Sequence, residues 1–313
     1  MLKIKLKTQQ KLRTAKVKKN AENVGSQVRT QSIIWIIVSN LMKVFALVFF
    51  GALILFPFYY MIATSLMTNA EATDAVTTHL APEKPQWGNF VDAFADGYWM
   101  AILYSFLIAS ITIMVKLVIT ILLGYAFSIK KYRGKKIVWG FFLSLMMLPE
   151  VALLSGQYQM IVRLGWYYGT NILLGLFIPF VASVFSAVMF KNAFEAIPDR
   201  TKEAAMIDGA GNVGYFFKVA LPMIKPTTLT VIILTAFASW NSYMWPALLL
   251  QGKDIQTIPT WVFTTGKDSN GQLLIPIRMA GTTLAILPML LVYFVFRGRI
   301  MKAISRQGSA IKG

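Results

Sequence analysis

The chain has no cysteine and only one histidine among its 313 residues. Without a thiol there is no disulfide, no thiolate nucleophile and no zinc–thiolate site. His79 by itself excludes a histidine metal cluster, and its surroundings read as a loop outside the membrane. Acidic side chains are scarce, with 13 Asp and Glu against 31 Lys and Arg, and charged residues make up only 14% of the chain. No G-x4-G-K-[ST] phosphate loop occurs, so this chain lacks the usual means of hydrolysing ATP. The apolar runs hold no histidine-rich or paired-carboxylate cluster, which argues against a membrane-embedded enzyme.

What is present is apolar. Hydrophobic residues make up 56% of the chain and the mean hydropathy is +0.59. Several apolar runs exceed the roughly 20 residues that a helix needs to cross a bilayer. The fold class is therefore all-α integral membrane protein. The net charge of +18 could signal nucleic acid. It lies in blocks beside the apolar runs, however, as the positive-inside rule requires, so a nucleic-acid role is not expected.

Residues 1–31 form a basic tail, with Lys3, Lys5, Lys7, Lys11, Arg13, Lys16, Lys18, Lys19 and Arg29. It is too long and too charged for the leading part of a signal peptide and reads as a cytoplasmic arm drawn to anionic lipid. The first span is expected over Val44–Leu66, with Ile33–Met42 as an interfacial extension. The loop that follows carries Glu71, Asp74, Glu83, Asp92 and Asp96 against Lys84 alone, which puts it outside. Span two, Trp99–Ser128, leads back to Lys130, Lys131, Arg133, Lys135 and Lys136 inside. Span three covers Ile137–Leu154, span four Tyr168–Phe190, span five Pro226–Leu250 and span six Met279–Phe296. Arg297, Arg299, Lys302, Arg306 and Lys312 follow the last span. Six spans with both termini cytoplasmic is the arrangement these charges predict.

Between spans four and five lies a polar helical stretch. Asp199 after Pro198 reads as an N-cap, Glu203-Ala204-Ala205 favour helix, and Gly209 suits a left-handed stop. Asn212 is expected to cap a second helix that Pro222 ends. The spacing Glu203-Ala204-Ala205, Gly209, Val219, Leu221-Pro222 resembles the cytoplasmic coupling loop of binding-protein-dependent ABC importers, EAA-x3-G-x9-I-x-LP, with Val219 in place of Ile. Gly124-Tyr125-Ala126 with Tyr132-Arg133-Gly134, Pro149, Trp240-Asn241 with Pro246, Ile224-Lys225-Pro226 and the closing Gly308-Ser309-Ala310-Ile311-Lys312-Gly313 resemble segments of the maltose and multiple-sugar permeases. Tyr104-Ser105 departs from that pattern, which commonly has Asn-Ser there.

The resemblance implies a carbohydrate permease subunit in a bacterial cell membrane. Its parts would be the tail 1–31, a six-span permease domain 32–296 with the coupling loop at 191–225, and a second tail 297–313. It implies partners as well: a second homologous permease, two ATP-binding subunits and an extracellular solute-binding protein. No metal or cofactor is expected on this chain, with ATP and Mg on the partner ATPases. Glu203, Ala204, Ala205, Asp208, Gly209, Leu221 and Pro222 would form the ATPase-coupling element. Glu203 would make a polar contact or stand as a solvated charge, and small Ala204 and Ala205 would allow close approach. Tyr215, Phe216 and Phe217 are expected to pack on this chain's own spans. Glycerol phosphate or another anionic or polyol solute is the alternative substrate, and an ATP-independent secondary transporter is the other class to weigh.

For the substrate path, Trp240, Asn241, Tyr243 and Trp245 combine aromatic faces with hydrogen-bonding groups, as do Gln157 and Tyr158. Helix packing and an interfacial belt would use the same residues. Lys116 and Glu150 each lie 14 residues from a cytoplasmic lysine, about 21 Å along a straight helix. Three arrangements follow: a buried ion pair, a Lys116 that meets an anionic solute, or a bend at Pro149 that turns Glu150 into an outer vestibule.

Overall fold

The computed structural model describes residues 14, 17, 33–129 and 133–310, with the side chains of Ile33, Ile34 and those beyond Gly298 left out. The remainder of the basic tail, Lys130, Lys131 and Tyr132, and Ile311-Lys312-Gly313 lie outside the described residues. The chain divides into two compact units, one up to Tyr60 and one from Met61.

The first unit holds most of α1 (Ile33–Ser65), in which span one and its extension are a single continuous helix. It is apolar all round, and Trp35, Phe45 and Leu47 are each about 70% exposed. A helix of this kind needs lipid or another chain around it.

In the second unit α2 (Asn69–Thr73) and α3 (Gly88–Ala93) precede a π-turn at Phe94–Tyr98 and the long α4 (Trp99–Ser128). Helix α4 is central: α7 (Ile172–Val181), α8 (Val184–Glu195) and α12 (Lys225–Trp240) pack on it. The approach to α8 is close, because a Cβ on Gly124 would stand 2.5 Å from the Cβ of Phe190. Helix α15 (Ile275–Ala310) packs on α3, α12 and α14 (Ile258–Thr264) and continues well past Phe296. Among the described residues the only β-type pairing is one isolated bridge between Lys267 and Leu273.

Three helices are long and apolar enough to cross a membrane, and three bent pairs bring the total to six if each pair is one span. The bends are where sequence reading drew straight helices. Span three breaks between α5 (Lys135–Ser144), extended by a 3-10 turn to Met147, and α6 (Glu150–Arg163), at an angle of 99°. Pro149 has no N–H to give, and the residue before it, Leu148, is forced extended at ψ 122°. The 14-residue depth assigned to Glu150 therefore does not hold. Span four bends by 51° between α7 and α8. Span five ends at Trp240, and the chain breaks at Asn241–Tyr243 before the short α13 (Met244–Leu249).

Candidate functional site

Two places in the second unit bring together the residues singled out by sequence. The first is the helix pair between α8 and α12. Helix α9 (Asp199–Ile207) has Pro198, not Asp199, at its N-cap, since proline's fixed φ and missing N–H suit a helix start; Asp199 is its first residue. Gly209 takes φ +83°, its N–H donates to Met206 O at 3.1 Å, and Ala210 N–H donates to Ala205 O at 2.9 Å. These two bonds make a Schellman stop, which satisfies carbonyls that would otherwise be orphaned.

Helix α10 (Asn212–Tyr215) starts from Gly211 rather than from an Asn212 cap, and continues through a π-turn at Phe216–Ala220 into α11 (Leu221–Met223). Pro222 thus sits inside the helical run. The wider π-turn just before it absorbs the hydrogen bond that proline cannot make.

The inner face of the pair is packed and the outer face is open. Tyr215, Phe216, Ala205, Ala220 and Ile224 are buried with Phe190 and Phe194, and Leu221 packs on their edge. Tyr125 meets this cluster edge to face, 4.7 Å from Phe216 and 5.2 Å from Phe194 between ring centroids. Phe217 does not follow its neighbours: it is 60% exposed, because it points away on the opposite side of the turn. Arg200, Glu203, Ala204 and Ile207 form an exposed stripe at helical spacing, Asp208 and Pro222 are exposed beside them, and Ile207 is 86% exposed. The two alanines therefore part company, Ala204 facing out and Ala205 packing in.

The second place is a cavity of about 270 Å³ between α4, α6, α7 and the broken end of α12. Lys116 and Glu150 both line it. Among the described residues they do not form an ion pair within 4.0 Å. From α4 come Ser105, Ile108, Thr112 and Lys116, one helical stripe; from α12 and the break come Thr235, Ser239, Ser242 and Tyr243. This alternation of hydroxyls along two facing helices is the signal that sequence reading missed.

Of the path residues named from sequence, only Tyr243 and Trp245 line the cavity. Trp245 is a wall, fully buried with Nε1 donating to Gly175 O at 3.1 Å. Trp240 belongs to the core formed by Tyr98, Trp261 and Leu284. Asn241 ends α12 and donates to Phe237 O at 2.9 Å. Tyr158 packs on Tyr167, and Gln157 Oε1 is buried without a hydrogen-bond partner. At the departing Tyr104-Ser105, Ser105 is buried and accepts the Ile258 N–H at 2.7 Å, holding the start of α14 to α4.

Comparison with known proteins agrees with this architecture. The chain is 43% identical to the probable ABC transporter permease protein MG189 of Mycoplasma genitalium, across 91% of this chain and 93% of that one. It is 25% identical to the arabinooligosaccharide transport permease AraQ of Halalkalibacterium halodurans (80% and 88% covered) and 29% identical to the sn-glycerol-3-phosphate transport permease UgpE of Pectobacterium atrosepticum (78% and 88%). Its fold matches a crystal structure of a bacterial ABC transporter involved in import of the acidic polysaccharide alginate, with a TM-score of 0.68 and 22% identity over 86% of this chain and 97% of that one. Residues 116–306 match the model of the binding-protein-dependent transport system inner membrane component, so this multi-pass membrane chain, a transport subunit and not an enzyme, belongs to that ABC permease family.

Proposed function

We propose that this chain is a permease subunit of an ATP-driven carbohydrate importer, coupled to ATPase subunits through the loop at 199–222. One observation carries the reading: the α9–Gly209–α10 pair buries one face on its own spans and leaves Glu203, Ala204, Ile207 and Asp208 open to a partner. In this reading six spans cross the membrane with both termini on the cytoplasmic side, where the helix pair also lies. A second homologous permease completes the path, two ATP-binding subunits hold ATP and Mg, and a solute-binding protein delivers the cargo. Closure of the ATPases moves the helix pair as a rigid lever, because the Tyr125, Phe194 and Phe216 rings tie it to α4 and α8. Glu203 contacts the ATPase, and Gly209, Leu221 and Pro222 keep the shape of the lever.

The arabinooligosaccharide relative and the hydroxyl-rich cavity favour carbohydrate. The glycerol-phosphate relative and the cation in the same cavity favour an anionic polyol as the second reading. The test is co-purification with the neighbouring transport subunits, followed by ATPase and uptake assays with Glu203→Ala and Gly209→Pro. An associated ATPase that these variants release or uncouple supports the reading. Solute movement by this chain alone, without ATP, would replace it with a secondary transporter.

A further inference from the structure

Helical Ser and Thr side chains in this protein commonly return their hydroxyls to the backbone one turn back. Thr112, Thr120, Thr228, Thr230, Thr282 and Thr283 each donate to the carbonyl four residues earlier. That habit satisfies a hydroxyl in an apolar setting. Thr235, Ser239 and Ser242 line the cavity, and among the described residues their hydroxyls have no partner. Thr235 and Ser239 are four residues apart on one side of α12 and Ser242 follows in the break beyond its end, so three free donor–acceptor groups line this wall.

Across the cavity stands Lys116, half-buried in the middle of α4. Among the described residues its Nζ makes neither a hydrogen bond nor an ion pair within 4.0 Å, and the carboxylate that acts on it is the more distant Glu150. A cation within a membrane span is costly unless it pairs or meets water, so such a residue marks a site where something charged is handled. The Tyr243 ring, held against Phe263 at 4.5 Å, adds an aromatic face to the same wall. At about 270 Å³ the cavity has room for a small solute.

We infer that this cavity is a transit site for a small polyol carrying one anionic group, phosphate or carboxylate, with Lys116 as the residue that determines that specificity. The anionic group sits on Lys116 Nζ, and the polyol hydroxyls exchange hydrogen bonds with Thr235, Ser239 and Ser242. Glu150 serves as the counter-charge of Lys116 while the cavity is empty and yields to the solute's anion. It is placed to yield because it begins α6 directly after the Pro149 break. This inference rests on the importer reading above and takes the second of its two substrate readings, the anionic polyol.

The test uses the whole importer in proteoliposomes with three labelled probes: glycerol 3-phosphate, glucuronate and glucose. Lys116→Gln should raise KM for the charged probes by roughly tenfold or more, as loss of a charge-assisted bond predicts, and leave any glucose uptake within about twofold. Lys116→Arg should keep charged-probe uptake, which separates the charge from a packing role. Glu150→Gln should lower KM for the charged probes, because it removes the competing carboxylate. The probe with the lower KM tells phosphate from carboxylate. A Lys116→Gln importer with unchanged KM for the charged probes overturns the proposal. It is also overturned if both single variants lose uptake alike and the exchange Lys116→Glu with Glu150→Lys restores it, since the two would then be a structural pair. Uptake that needs no ATP overturns the importer reading itself, while the charge dependence of KM still decides the role of Lys116.

Discussion

Lys191 and Glu195 stand one turn apart on α8 with Nζ and Oε2 2.6 Å from each other, and Glu195 Oε1 also lies 3.8 Å from Nζ of Lys135 at the start of α5. Lys191 sits over the Trp139 ring at 5.2 Å, and Lys135 donates to Ile129 O at 2.9 Å. Three residues after Glu195 comes Pro198, where the exposed helix α9 begins. The clamp thus joins the root of that helix to α5, which leads through the Pro149 break to Glu150 on the cavity wall. An exposed i,i+4 pair is worth only about 0.3–0.5 kcal/mol, so Glu195→Gln should lower thermal stability little. It should loosen ATPase activity from uptake more than it lowers stability. Because the chain has no cysteine, a Lys135→Cys, Glu195→Cys pair can be joined specifically by a bifunctional thiol reagent long enough to span the two removed side chains, and locking it should leave folding intact while changing coupling.

Gly124 is a steric requirement. A Cβ there would meet Phe190 Cβ at 2.5 Å and the Lys191 backbone N at 2.9 Å, and neither can move without shifting α8. Gly124→Ala should cost about 1–3 kcal/mol, the usual range for overpacking. The measurement is thermal unfolding of the purified chain, with Gly140→Ala as control because nothing lies within 4 Å of that position.

Gly209 is a conformational requirement instead. Nothing lies within 4 Å of its would-be Cβ, but φ is +83°. Gly209→Ala should therefore cost about 1–2 kcal/mol through backbone strain alone. Gly209→Asn, which tolerates the left-handed region better, should recover part of the loss. Coupled ATPase activity and unfolding temperature across the three proteins separate a turn requirement from a contact requirement.

Asp96, just before α4, ties the start of that helix to α14 and the loop after it. Its Oδ2 accepts from Thr265 Oγ1 at 2.6 Å and from Gly266 N–H at 3.3 Å, and its backbone O accepts from Trp261 Nε1 at 2.5 Å. Asp96→Ala leaves the Trp261 bond and removes the other two. It should cost about 1.5–3 kcal/mol and speed amide exchange at Thr265 and Gly266.

Glu71 closes a capping box at the head of α2, its Oε2 accepting the Thr68 N–H at 2.6 Å, and its Oε1 accepts the Glu83 N–H at 2.9 Å. The Thr68 N–H is the main cause that holds its carboxyl below the ordinary glutamate value of 4.5, with the Glu83 N–H next. A depressed carboxylate contributes above its unfolded pKa and loses that contribution as pH falls through the folded one. Protection of the Thr68–Ala72 amides, taken relative to the intrinsic exchange rate at each pH, should therefore be steady from pH 7 to about 5 and fall below pH 4.5. In Glu71→Gln that fall should be absent.

The membrane class, the long apolar helices and the polar stretch with its Gly209 stop were legible in sequence because each depends on local chemistry. A run of apolar residues long enough to span, a lysine block at its end, and a glycine after Glu203-Ala204-Ala205 carry their meaning wherever the chain folds. The break at Pro149 was only partly legible and that at Ala182-Ser183 was not read at all: proline marks a place where a helix can bend, but the angle is set by what packs on either side. Trp240 and Tyr243 were alike on paper, two aromatic residues beside an Asn. Tertiary packing alone sent Trp240 into the core with Trp261 and left Tyr243 on the cavity wall. The same holds for Ala204 and Ala205, and for Lys116 and Glu150, whose common cavity depends on a bend that no distance along the sequence reports. Local propensity determined where helices begin, and side-chain packing between distant segments decided which of their faces meet and which remain free for a solute or a partner.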